Sequence, residues 1–344
     1  AITTVLKAEH FDLLHIEFVR ALGALPGNLT VPVIWDAVDC ISWLYEQGAQ
    51  FGTTSMLRLV GREEAQRTRA YEQAKLQQFR QVLVTSERDR QALLKLVQEG
   101  SDGTTRSCAE ITVLPHGIDQ DYFRPYTGVR QPGILIFSGK MSFHANIAGA
   151  LTLVERILPL IWRHRPDVRL VIAGADPPAV IRRLTRDQRI MVTGYVPDIR
   201  PHIGQAQIAV SPLPYAVGIQ NKILEAMALG TPVIASSSAA RGLQAIADHD
   251  LLVADAPEAF AAAVLQLLDN QVLWNELAQN GLNYITAHHN WEKITRQLIT
   301  VYERTIETAH IMFPHEFEGE QRGHAPQSMD NHLSRAVHYE VKGL

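Results

Sequence analysis

The stretch "GIQNKILEAMALGTPVIAS", residues 218–236, decides the fold. Ile219, Ile223, Ala226 and Met227 recur at helical spacing, so the segment predicts a helix with one apolar face. Gly230 suits the left-handed residue just past a helix end, and Pro232 cannot extend the helix. "QIAVSPL" (207–213) before it and "TPVIAS" (231–236) at its end read as strands. Strand, helix and strand in this order make a parallel crossover unit. Lys222 and Glu225 interrupt its otherwise apolar pattern.

Gly218 lies just before this helix, where backbone N–H groups lack partners and the helix dipole is positive. Such a position accepts a phosphate, and it sits at the carboxyl end of a strand, where open α/β sheets bind ligands. Glu225 is six residues past Ile219, roughly 9 Å along the axis. A ligand with a diphosphate at the helix start and a ribose further on meets both. Glu225 would accept two ribose hydroxyls and Lys222 would add a cation. The bland alternative is an exposed i, i+3 ion pair worth a few tenths of a kcal/mol.

The same alternation extends along the chain. Strand-like runs fall at 12–18, 32–39, 81–87 and 110–117, with a long charged helix at roughly 53–80 and another at "SERDRQALLKLVQ", capped by Ser86. Residues 124–133, "RPYTGVRQPG", read as a linker. The pattern restarts with strands at 133–140, 168–176, 190–196, 207–213, 231–236 and 251–255, then helices to about 310. Continuous apolar runs such as "LVIAG" suit a sheet covered on both faces. The expected organisation is a partial N-terminal Rossmann-like domain (1–125), a second Rossmann-like domain (126–290), a closing helix (291–310) and a disordered polar tail (311–344). No Gly-rich opening turn precedes residue 12, so the first domain reads as incomplete.

With 344 residues, 46% apolar and 20% charged, the composition is that of a globular protein. A net charge of −4 supplies no basic field for nucleic acid. Cys40 and Cys108 are in no metal or redox spacing and favour a reducing compartment. No apolar run approaches the roughly 20 residues of a membrane span.

The 218–236 segment resembles the nucleotide-sugar site of retaining glycosyltransferases with the two-Rossmann GT-B fold, glycosyltransferase family 4. "FSGKMSFHANIAGA", "RLVIAGADP", "VTGYVPDIRPHIGQAQIAVSPL", "VLPHGIDQDYFRP" and "NWEKITRQLITVYERT" fit the same template in order, covering about residues 10–308. The "GIQNK" variant is most similar to a bacterial subgroup of cell-surface polysaccharide assembly. The resemblance implies transfer of a sugar from a nucleoside diphosphate sugar to a glycan or lipid-linked acceptor, with retention and with neither metal nor other cofactor. It implies a cytoplasmic location, with peripheral contact at the inner face of the plasma membrane left open. Glu225 would hold the ribose. Gly218 and Ile219 would contact the diphosphate or sugar through N–H groups, and Tyr195 and Val196 would meet the base through main-chain groups. Gly139 and Lys140 lie in the first donor-domain loop.

Departures from the template bear on the site. The family's first motif glutamate, eight positions before Glu225, is Val217 here. Lys140 stands where the family has an arginine, and Ala145 and Asn146 stand near its lysine. Val38 stands near a family histidine, between Asp36 and Asp39. Asp39 tops a strand, so Asp39 and Lys140 are the catalytic candidates; loop capping is the plain alternative for both aspartates. His144 follows the Lys140 loop and reads either as a phosphate contact or as a surface histidine. The helix over 58–80 reads as a solvated surface or as a face for an anionic membrane. Two functional classes follow: an active transferase, or a nucleotide-sugar-binding partner subunit without turnover. An epimerase would need a cleft histidine or carboxylate pair acting on the sugar ring.

Overall fold

The computed structural model describes residues 2–27, 29, 31–51, 55–100 and 109–312. The tail expected over 311–344 lies outside the described residues from 313 onward, as does Cys108. Cys40 is a free, buried thiol.

Four parallel strands form the first sheet: β1 (Leu14–Glu17), β2 (Val33–Val38), β3 (Gln81–Val84) and β4 (Glu110–Val113), in the order β1-β2-β3-β4. The second sheet has six: β5 (Ile134–Ser138), β6 (Arg169–Ala173), β7 (Ile190–Gly194), β8 (Ile208–Ser211), β9 (Val233–Ala235) and β10 (Leu252–Val253). Its order is β10-β9-β8-β5-β6-β7, all parallel. The chain starts in the middle at β5, winds out to β7, then crosses to β8 on the other side. The order therefore reverses between β5 and β8, and such a switch point opens a crevice at the carboxyl ends of the strands. Among the described residues the first sheet has no such reversal.

Strands β3, β8 and β9 are buried at every residue, as their unbroken apolar runs require. The helix expected from Ile219 begins two residues later, at Asn221, and ends at Ala228. Its Ile223, Ala226 and Met227 are buried, while Ile219 lies in the preceding turn. Gly230 has φ +66°, the left-handed conformation that ends the helix. The long charged helix spans Ser55–Leu76. Ser86 caps the helix Glu87–Glu99, accepting the Asp89 N–H. Sequence periodicity did not single out the helix Ile41–Phe51, which follows β2 directly.

The run His144–Trp162 corrects one expectation. At 19 residues and mean hydropathy 1.3 it is long and apolar enough to cross a membrane by length and composition alone. In this fold a π-helical turn, Leu153–Ile157, interrupts it, and Leu153, Ile157, Leu158 and Ile161 pack in the second sheet's core.

The 124–133 connection is fastened rather than loose. The Arg130 guanidinium donates to the carbonyls of Gly204 (2.7 Å), Ala206 (3.2 Å), Leu229 and Gly230 (both 2.9 Å) and to Thr231 Oγ1 (2.7 Å). A cation thus meets the carbonyl end of the helix Asn221–Ala228, where the dipole is negative. The last helix, Trp291–Met312, returns to the first sheet, where Tyr302 Oη lies 2.8 Å from His15 Nδ1.

Candidate functional site

The switch point is built from glycines and one half-buried lysine. β5 ends at Gly139 (φ +140°) and β6 at Gly174 (φ +147°). A Cβ on Gly174 would lie 1.9 Å from the Gly139 carbonyl oxygen, so the two chain segments meet without side chains between them. Gly174 N–H donates to Gly194 O at the end of β7 (3.2 Å). Beyond it the Tyr195 side chain is 75% exposed and Val196 is half-buried.

Lys222, in the first turn of the helix Asn221–Ala228, reaches back to this point. Its Nζ donates to Asn146 Oδ1, lies 4.7 Å from the Phe137 ring centroid, and is 3.0 Å from where a Gly139 Cβ would stand. Asn146 Nδ2 donates in turn to Lys140 O (2.9 Å). Burial pushes the Lys222 ammonium down to about 7, against the pull of Glu225. Glu225, one turn on and half-buried, is pushed up by burial, with Lys222 opposing. Gln220 at the N-cap offers no side-chain cap, and its carbonyl accepts the Ile223 N–H (2.9 Å). Lys140 itself is largely exposed, 4.0 Å from Asp176.

Sequence reasoning assigned the Gly218 N–H to a ligand; here it donates to Asp89 Oδ2 (2.9 Å). Asp89, fully buried, also accepts Cys40 N–H (2.9 Å) and the Ser86 hydroxyl. One carboxylate thus ties β2's end, the helix Glu87–Glu99 and the turn after β8 together. In the sequence Asp89 reads as the third-position partner of the Ser86 cap, so only the fold reveals its reach to Gly218.

Asp39 abuts the same glycine. Gly218 has φ +59°, and its Cβ would fall 1.9 Å from Asp39 Oδ1. Asp39 accepts from Thr85 Oγ1 (3.3 Å); burial first, then Asp89, raises its pKa to about 7. Preceding it, Val38 has φ +64°, unusual for a β-branched residue, beside a register shift in the β2–β3 ladder. Asp36 takes the capping role, accepting Val38 N–H at 3.0 Å. Ile219 is half-buried, with its Cα 3.6 Å from where a Gly242 Cβ would stand.

Val217 is buried in an apolar cluster with Leu44 of the helix Ile41–Phe51, Ala145 and Tyr215. A glutamate there would place a carboxylate among apolar groups. Val217→Glu is therefore expected to lower stability by about 2–4 kcal/mol, read as a fall in the urea midpoint, with Val217→Leu as the near-neutral comparison. His144 Nδ1 lies 2.6 Å from Tyr215 Oη, the rings are stacked, and burial lowers the imidazole's pKa.

The site therefore brings together Gly139, Lys222 and the Lys140 backbone on one side, and Gly218 and Asp39 on the other. Tyr195 stands outside this cluster. Asn146 and Asp89 are the groups that hold it and that sequence motifs did not assign.

Known proteins resemble this chain in sequence and in fold. Residues 132–270 match the family model described as "Glycosyl transferases group 1". A 208-residue stretch is 27% identical to the MMP alpha-(1->4)-mannosyltransferase of Mycolicibacterium hassiacum, covering 57% of this chain and 49% of that protein. The chain spans about half the length of the curated relatives it matches. Among solved structures, sucrose-phosphate synthase from Thermosynechococcus elongatus superposes with TM-score 0.69 at 20% identity, over 90% of this chain and 77% of that one. Anabaena HepE in complex with UDP superposes with TM-score 0.65 at 13% identity, over 88% and 81%. The chain has the GT-B fold, and within it residues 132–270 match the model of group 1 glycosyltransferases.

Proposed function

We propose that this protein transfers a sugar from a nucleoside diphosphate sugar to a glycan or lipid-linked acceptor, with retention, in cell-surface polysaccharide assembly on the cytoplasmic side. The carrying observation is the Lys222 ammonium held by Asn146 at the switch point, with Glu225 one helical turn beyond it. The matched group 1 domain and the UDP named for HepE support a nucleotide-linked donor. In this reading residues 1–125 and 126–290 are the acceptor and donor domains, and the helix from 291 closes one onto the other. No metal or other cofactor enters it.

The residues act by position and charge. The diphosphate lies at the start of the helix Asn221–Ala228, where the positive end of the helix dipole, Lys222 and Lys140 stabilise the charge that develops on the leaving group. Glu225 accepts the ribose hydroxyls, and the backbone at Tyr195 and Val196 meets the base. Asp39, beside Gly218, faces the sugar end. For this to happen the diphosphate must replace Asp89 as partner of the Gly218 N–H, or use the neighbouring donors.

Calorimetric titration with UDP and GDP tests the donor half. Binding of one of them is expected, weakened about tenfold or more in Glu225→Ala. Unchanged affinity in that variant removes the ribose assignment. Product formed from a labelled donor tests turnover. A second reading, nucleotide-sugar binding without transfer, is favoured by Val217 in place of a carboxylate and by the Asp89 hold on Gly218. Tight binding with no product on any acceptor would select it.

A further inference from the structure

A pocket of about 310 Å³ opens on the first-sheet side, among the helices Ile41–Phe51, Ser55–Leu76 and Glu87–Glu99. This is at the lower end of small-molecule sites. Arg88, Gln91, Ala92 and Lys95, at spacings of three, four and seven, present one helix face to it, opposite Trp43. Arg88 lies over the Trp43 indole, 4.5 Å from its centroid, and is half-buried. Arg241, on the second sheet's side, bears on Arg88 as a like charge.

The side chains that line this pocket are mainly cationic, Arg69, Arg88 and Lys95 against Glu46. Arg69 on its wall is engaged by Glu46 (3.0 Å) and Glu99. Among the described residues no carboxylate pairs with the side chains of Arg88, Lys95 or Arg241. Asp89 offsets part of the Arg88 charge, but its oxygens accept from Cys40, Ser86 and Gly218, and those of buried Glu72 accept from Ile41 and Ser42. A half-buried guanidinium pressed by a second cation is held at a cost that a bound anion would offset. Its planar fork suits a phosphate or carboxylate, and an indole face suits the apolar face of a sugar ring. The pocket also adjoins the candidate site: Cys40 lines it, and Cys40 and Gly218 share Asp89.

We propose that this pocket is the acceptor subsite and takes a sugar bearing an anionic group, phosphate or carboxylate, held by Arg88 and Lys95 over Trp43. This rests on the transferase reading above and names its acceptor class. The experiment is calorimetry on the full chain with saturating UDP, titrating hexose 6-phosphates, methyl hexuronides and neutral methyl hexosides. At least one charged series is expected to bind at least about tenfold tighter than its neutral counterpart, and to lose about tenfold in Lys95→Gln and in Arg88→Gln. The phosphate and uronide arms separate the two anion sources. Equal binding of charged and neutral sugars, no binding of any charged sugar, or charged-sugar affinity unchanged in both variants overturns the proposal. Lys95 is exposed, so Lys95→Gln decides the matter if Arg88→Gln fails to fold. The UDP titration alone reads the donor assignment; without UDP binding, the sugar series is run on the free protein, and the two failures stay separate.

Discussion

Gly174→Ala is expected to cost about 4 kcal/mol of stability, a large share of the roughly 5–15 kcal/mol a folded domain has. The added methyl would stand 1.9 Å from Gly139 O and 2.7 Å from Gly139 C, and both are backbone atoms that cannot swing aside. The residue's φ of +147° adds strain for any L side chain. Relief requires the ends of β5 and β6 to part where Gly139 N–H donates to Ala173 O (3.0 Å). Gly194→Ala is the control. It has φ +68° but open space around its Cβ position, so it should lose only about 1–2 kcal/mol. Urea unfolding of the three proteins measures both effects. Equal losses would show that the close approach of Gly174 to Gly139 does not govern stability.

Donor affinity is expected to fall steeply as pH rises above 7. Asp39 is raised to about 7 by burial and by Asp89, and Lys222 is lowered to about 7 by burial. Below that pH Asp39 is neutral and Lys222 positive; above it Asp39 is negative and Lys222 neutral. Both changes make the site more negative where the proposed diphosphate would lie. Each proton required for binding costs up to one log unit of affinity per pH unit above 7, so pH 8.5 weakens binding by up to ~30-fold per group. UDP-glucose or GDP-mannose, whichever binds, serves as the probe. Asp39→Asn should remove one proton's worth of the slope and Lys222→Met the other, with Lys222→Met also binding more weakly at pH 6. A flat profile between pH 6 and 8.5 would remove both groups from the diphosphate's surroundings.

Several parts of this site were legible as local pattern. The helix around Lys222 and Glu225, its glycine stop and the strands beside it follow from apolar spacing and turn chemistry. The partners were not legible. Asn146, which holds Lys222, is 76 residues away in sequence; Asp89, which holds Gly218, is 129 away. Val217 read as a missing carboxylate, but its burial against Leu44 gives it a packing role. Arg130 sat in a stretch read as linker, because nothing local shows that five acceptors converge on it.

The sequence by itself determined the alternating α/β elements, the second sheet's apolar strands and the helix between β8 and β9. These depend on residues within one or two turns of each other. Tertiary structure alone decided that Asp39, after β2, and Asp89, in the helix Glu87–Glu99, meet Gly218 in the turn after β8, and that Lys222 reaches Asn146. It also decided that Arg88, Lys95 and Trp43 share a pocket. Proximity between distant segments and the burial that shifts a charge are properties of the packed chain, and no local spacing encodes them.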